Sequence, residues 1–141
     1  MPNILTTSKR TRVINAAAAG VTNVIGSSVD MFDFDAVAFV ASIGTLTAGQ
    51  VTNLKAQGST DNSTWNDIAG AVTPNMADGD SNKMLLLEVY RPQQRYVRCV
   101  VQRGTSNAVV DGVVAVQTGF KKPPVTQDAA TTSQSLTVVG S

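Results

Sequence analysis

Alternation of apolar and polar side chains along short stretches is the feature that most limits what this chain can fold into. In "RYVRCVVQ" (Arg95–Gln102) Tyr96, Arg98, Val100 and Gln102 fall on one side, and Arg95, Val97, Cys99 and Val101 on the other. "KMLLLEVY" (Lys83–Tyr90) reads as a buried strand and "VVDGVVAVQTG" (Val109–Gly119) as the last strong one. "VDMFDFDAVAFVASI" (Val29–Ile43) carries Phe32, Phe34, Ala36, Ala38 and Val40 on one face, and another face that is acidic at first and apolar later. A strand that long can bend and serve two sheets. These segments have the period of two that places alternate residues on opposite faces of a sheet, and no amphipathic helix pattern competes with them.

Further strands are expected over 11–18, in "VTNVI" (Val21–Ile25), in "VTNLKAQGS" with Leu54 and Ala56 inward, and over Asp67–Val72. "AAAA" (Ala16–Ala19) fits a helical turn equally well. Roughly seven to nine strands separated by Gly, Asn, Asp and Pro clusters, without βα alternation, make an all-β sandwich. On these residues alone, jelly-roll and immunoglobulin-like topologies both remain open. The organisation expected is an N-terminal arm over 1–12, a sandwich over 13–120 and an extended C-terminal tail over 121–141.

Charged residues are 15% of the chain, against roughly 25% in ordinary soluble domains, with 11 Lys and Arg balancing 10 Asp and Glu. No global field gathers nucleic acid or an anionic membrane, and the surface suits coverage by protein neighbours. Glu88 is the only Glu, which again disfavours helices. The single cysteine, Cys99, allows no internal disulfide, and the start of the chain has no apolar run resembling a signal peptide. The expectation is a soluble protein made inside the cell, with no membrane partner.

Histidine is absent, which removes the commonest general base and metal ligand and every His-dependent triad. Cys99, inside "YVRCVV", reads as a small buried hydrophobe. Asp33 and Asp35 share a strand face and permit, without indicating, paired carboxylate chemistry. "DGDSN" (Asp78–Asn82) begins like a calcium loop, but Lys83 stands where Gly is required and Val89 where the bidentate Glu belongs. No enzyme activity, cofactor or metal is expected.

"GSTDNSTW" (Gly58–Trp65) approaches the Asp-box hairpin of sialidases, with Ser63 in place of Gly and the Thr-Trp pair one residue early. It reads as a turn delivering Trp65 to the core. A carbohydrate-binding module with Trp65 as stacking platform is the alternative of another class. Arg91, Arg95, Arg98 and Arg103 lie near Tyr90 and Tyr96, an interleaving that single-stranded nucleic acid can use. Because Arg95 and Arg98 fall on opposite strand faces, subunit contacts are preferred and no direct nucleic-acid binding is expected. Lys9, Arg10 and Arg12 suit a contact arm. The tail, with two consecutive prolines and no aromatic residue, cannot fold alone and is expected to order across another subunit. Its "LTVV" is suited to joining a neighbour's sheet edge.

"TSKRTRVINAAA", "LKAQGSTDNSTWNDIAG" and "YRPQQRYVRCVVQRGTSNAVVDGVVAVQTGFKKPPV", in that order and with the flexible end, resemble the capsid cement (decoration) proteins of tailed bacteriophages. The resemblance implies a jelly-roll sandwich that binds the outside of an icosahedral shell as a dimer and clamps neighbouring major capsid protein subunits. The contact residues expected on that reading are Lys9, Arg10, Arg12, Arg91, Arg95, Lys121 and Lys122.

Overall fold

A computed structural model describes residues 3–120, 125–133, 135–137 and 139. Among them are one helical turn, α1 (Ile4–Thr7), and ten strands: β1 (Lys9–Ile14), β2 (Ala17–Gly20), β3 (Val24–Ile25), β4 (Val29–Asp30), β5 (Ala36–Leu46), β6 (Val51–Ser59), β7 (Asn66–Val72), β8 (Met84–Tyr90), β9 (Tyr96–Gly104) and β10 (Ala108–Thr118). Every pairing is antiparallel. One sheet runs β1-β10-β5-β8 with β2 also on β10, and the other runs β3-β9-β6-β7 with β4 also on β9. If β3 and β4 are taken as one interrupted strand and β2 as an annex, the order is 1-8-3-6 over 2-7-4-5. That is the double Greek key of a jelly roll, and it decides between the two topologies the alternation left open.

The core lies between the sheets. Val37, Phe39, Ala41 and Ile43 of β5 and Val110, Val113 and Ala115 of β10 meet Leu54 and Ala56 of β6 and Val97, Cys99 and Val101 of β9, all 1% exposed or less. Val110 and Val113 both face inward because the β10 register shifts between Val110 and Gly112, whose φ of +148° only glycine adopts freely. Arg103 closes the side of the sandwich: its guanidinium donates to the carbonyls of Ala18, Thr22 and Ala108 at 2.7–2.8 Å.

Several sequence expectations are corrected. The run 29–43 is not one strand, because residues 31–35 form a loop between β4 and β5 that carries the chain from one sheet to the other. Ala17–Ala19 lie in a strand, β2, not in a helical turn, and the strand expected over 11–18 is divided between β1 and β2. "KMLLLEVY" is an edge strand with its even residues exposed, since β8 pairs with β5 alone. Leu54 and Ala56 do face inward.

Candidate interaction surface

The register gathers several loops at one end of the sandwich. Ala36 lies opposite both Tyr90 and Thr118, Ser59 opposite Tyr96, and Lys9 opposite Gln117. Loops 31–35, 60–65 and 91–95 therefore share one end with α1 and the chain leaving β10.

At this end Asp30 and Arg95 form a two-pronged ion pair, with Nε and Nη2 of Arg95 donating to the carboxylate at 3.0 and 2.8 Å. The Phe32 amide donates to the same carboxylate at 3.0 Å. Arg95 holds the Asp30 carboxyl below its ordinary range, with the Phe32 amide and the charge of Lys9 acting in the same direction. The Arg95 guanidinium also lies 5.2 Å from the ring centres of Phe32 and Tyr96. Phe32 is 63% exposed, so the stack presents an aromatic ring and a cation to solvent.

Arg91 repeats the motif beside it. Its guanidinium is 5.2 Å from the Tyr90 ring centre, and Tyr90 is 64% exposed. The Arg91 backbone has φ of +53° and is held there by its amide donating to Asp35 O at 2.6 Å. Such a conformation is costly for a long side chain. Between the two loops Phe34, Asp35, Pro92, Gln93 and Gln94 line an open groove of about 320 Å³.

The termini close the same end. Asn3 caps α1 by accepting from the Thr6 amide at 3.1 Å. Gln127 then binds this turn three ways: its Nε2 donates to Leu5 O at 3.0 Å and Ser8 O at 2.7 Å, and its Oε1 accepts from the Arg10 amide at 2.9 Å. The Val125 amide donates to Thr6 O at 2.9 Å. The first described part of the tail is thus held against the N-terminal segment of its own chain.

Next to this end lies the outer face of the β1-β10-β5-β8 sheet. Arg10, Val116, Ala38 and Glu88 form one registered row across it, and Arg12, Val114, Val40 and Leu86 the next. Met84, Leu86 and Tyr90 are 60–64% exposed on this face. The face is apolar in the middle, basic at the β1 edge and acidic at the β8 edge.

Of the contact residues expected from sequence, Lys9, Arg91 and Arg95 come together at the loop-bearing end, and Arg10 and Arg12 border the adjoining face. Lys121 and Lys122 lie outside the described residues. Arg98 and Arg103 are not part of the group: Arg103 staples backbone, and Arg98 lies on the other sheet, bonded to Gln57 Oε1 at 2.9 Å. Sequence reasoning missed Phe32 as a surface residue, because the alternation placed it with Phe34 on one apolar face of a single long strand, whereas both lie in the loop before β5 and only Phe34 packs against the core.

Trp65 corrects another expectation. The turn forms as read, with the Asp61 carboxylate accepting from the Ser63 and Thr64 amides at 2.9 Å, but Trp65 is half-buried outside the core. Its ring packs on the Arg98 guanidinium at 4.3 Å. Cys99 is fully buried, and burial pushes its thiol up to about 12, so it stays protonated and inert at neutral pH.

No protein-family model and no curated protein matches the sequence. Among solved structures the chain is similar to the PBSX exported protein XepA, with TM-score 0.57 and 17% identity, covering 98% of this chain and 46% of that one. The chain thus spans less than half the length of XepA. It is also similar to the SPBc2 prophage-derived protein YomS, with TM-score 0.46 and 10% identity, covering 82% of this chain and 98% of that one. Both neighbours are phage-derived. At 17% identity the likeness to XepA speaks for the fold.

Proposed function

We propose that this protein is a non-enzymatic virion component that binds the outside of a phage capsid as a dimer and holds major capsid protein subunits together, as a cement protein does. The observation that carries the reading is the convergence of both terminal segments and two exposed arginine-aromatic pairs at one end of the jelly roll, outside its core. Tyr, Arg and other aromatics are the side chains that dominate protein interfaces, and Arg95 is already held in place by Asp30. The shell surface that fits this end offers carboxylates and apolar pockets. Made in the host cytoplasm, the protein acts on the outer shell without nucleic acid, membrane or cofactor.

The dimer reading is supported by the outer face of the β1-β10-β5-β8 sheet. A two-fold axis parallel to the strands sets the β1 edge of one copy over the β8 edge of the other, so Arg10 meets Glu88 twice. A two-fold across the strands sets Arg10 and Arg12 over their own counterparts and is disfavoured. Four strands by seven residues cover about 19 by 24 Å, or ~450 Å² in projection. Standard interfaces bury about 800 Å² per partner, so this face alone gives a weak dimer that the shell completes.

The test is co-sedimentation with phage heads. Replacing both Arg91 and Arg95 by Ala should weaken binding at least tenfold while the melting curve stays cooperative. Full affinity in that double variant would reject the assignment of the contact end. In sedimentation equilibrium Leu86→Lys should give monomer; an unchanged dimer would reject the face.

A further inference from the structure

The fold has several sheet edges, and one is less guarded than the others. The β1 edge carries Lys9, Arg10 and Arg12, a register shift between Arg12 and Ile14, and the Gln127 side chain on the Arg10 amide. β3 and β4 are two residues each. β7 has Asp67, a register shift against β6, and Gly70 at φ of +78°. These are the devices that keep a sheet from adding strands. β8 is the least guarded: its seven residues pair with β5 without a register shift, contain no Pro, Lys or Arg, carry Glu88 as their one charge, and expose Met84 and Leu86.

The pairing fixes which groups of β8 are free. Arg91 donates to Asp35 O and Ile43 donates to Lys83 O, so odd residues of β8 bond to β5. In an antiparallel ladder the even residues then point their amides and carbonyls the other way. Met84, Leu86, Glu88 and Tyr90 thus present a ladder of open donors and acceptors on the side of β8 away from β5. Beside the first half of this edge runs a groove of about 330 Å³, lined by Pro74, Met76, Met84, Leu85 and Leu86 among others.

The same chain carries a segment that matches. Residues 135–139, "SLTVV", are uncharged and rich in strand-forming residues. Leu136 is 49% and Val139 89% exposed. Past Gln127 the described tail makes a local turn, with Thr131 and Ala130 donating to Asp128, and Leu136 borders an open groove beside Leu5 and Thr6. The anchor at Gln127 sits on the β1 side of the sheet, and nine residues reach from it to Leu136, about 30 Å when extended. In the two-fold arrangement proposed above, the β8 edge of the second copy lies over the β1 edge, nearer to this anchor than the chain's own β8 edge on the far side of the sheet.

We infer that the tail segment 135–139 of one copy adds as a strand to the β8 edge of a second copy, with its apolar side chains in the groove beside Met84. This deepens the clamp proposed above, since it rests on the tail being a contact arm and names where the arm lands. A strand added in this way gains main-chain bonds from the ladder and selectivity from the groove. Two tails exchanged reciprocally close a dimer, and one-way exchange links copies in a row.

The experiment is amide hydrogen exchange, read by NMR on the purified full-length protein without heads, so its failure leaves the capsid-binding reading standing. Three samples are compared: labelled wild type, labelled Leu136→Asp/Val139→Asp, and that labelled variant with excess unlabelled wild type. Because Leu136 and Val139 are exposed, the variant keeps its fold, and the unchanged protection of Val97 and Val101 verifies this. The expected result is that amides of Met84, Leu86, Glu88 and Tyr90 exchange at least about tenfold faster in the variant and slow again when wild type is added. Fast exchange in wild type overturns the inference. Retained protection in the variant overturns it too, because something other than the tail then covers the edge. Loss without recovery on mixing overturns the second copy as the donor.

Discussion

Replacing Gln127 by Met tests whether the arm and tail are one unit. The substitution keeps side-chain length and apolar contact but removes both donations from Nε2, to Leu5 O and Ser8 O, and the acceptor for the Arg10 amide. A neutral hydrogen bond contributes about 0.5–1.5 kcal/mol net, so three contribute ~1.5–4.5 kcal/mol at most. The site is only part-buried, and water replaces some of each bond, which leaves about 1–2 kcal/mol. At about 1.4 kcal/mol per factor of ten, opening of the arm should become roughly 5- to 30-fold more frequent. The cost is local, because no buried core residue touches Gln127 through these bonds. The Arg10 amide should therefore exchange faster by that factor and trypsin should cut sooner after Lys9, Arg10 or Arg12, while the global melting temperature moves little. An Arg10 amide that exchanges at the wild-type rate would refute the coupling. A large fall in global stability would refute its being local.

The Cys99 thiol, pushed up to about 12 by burial, should resist alkylation at pH 8 in the native protein and react at once in denaturant. Asp30 is held below the ordinary carboxylate range by Arg95, so its contribution is present above the unfolded value of about 3.9 and is lost as pH falls through the lower folded value. Asp30→Asn should flatten the decline of stability below about pH 4. Trp65→Ala removes a half-buried ring, about 2.5 kcal/mol from ~100 Å² of burial, and its contact with Arg98, about 0.5 kcal/mol for a surface cation–π pair, which together lie at the lower limit of the ~3–5 kcal/mol of a core tryptophan. A chemical denaturation series measures it, and a glycan array on the same variant tests the carbohydrate reading, which requires binding by wild type that the variant lacks.

What the sequence revealed and what it hid have separate physical causes. Period-two alternation finds strands because a core-facing position must be apolar, and Leu54, Ala56, Val97, Cys99 and Val101 obey this. It fails at β8 and at the start of β5, where both faces are apolar. Leu85, Leu87 and Val89 pack inward while Met84, Leu86 and Tyr90 do not, and nothing in the alternation says which set is covered. Only pairing partners settle that, and these come from residues distant in the chain. Trp65 was misplaced for a related reason, because a large apolar ring has two ways to leave water and a guanidinium on the adjoining strand is one of them.

The basic residues show the same limit from the other side. Lys9 is far in sequence from Arg91 and Arg95, and it meets them because the jelly roll returns β1, β5, β8 and β10 to one end. Arg98, only three residues from Arg95, and Arg103 are carried away from it along β9. A cation three residues along a strand lands on the opposite face, whereas one that terminates a different strand can stand beside it. Contact residues in such a fold are therefore better sought at strand ends that share a register row than in clusters along the chain. By that rule the next positions to change are Phe32 and Tyr90, which share the end with Arg91 and Arg95 and leave their rings in solvent. Phe32→Ser should weaken binding to phage heads with little effect on the melting temperature, since the ring is 63% exposed. Unaltered head binding would show that Arg95 and not its aromatic neighbour makes the contact.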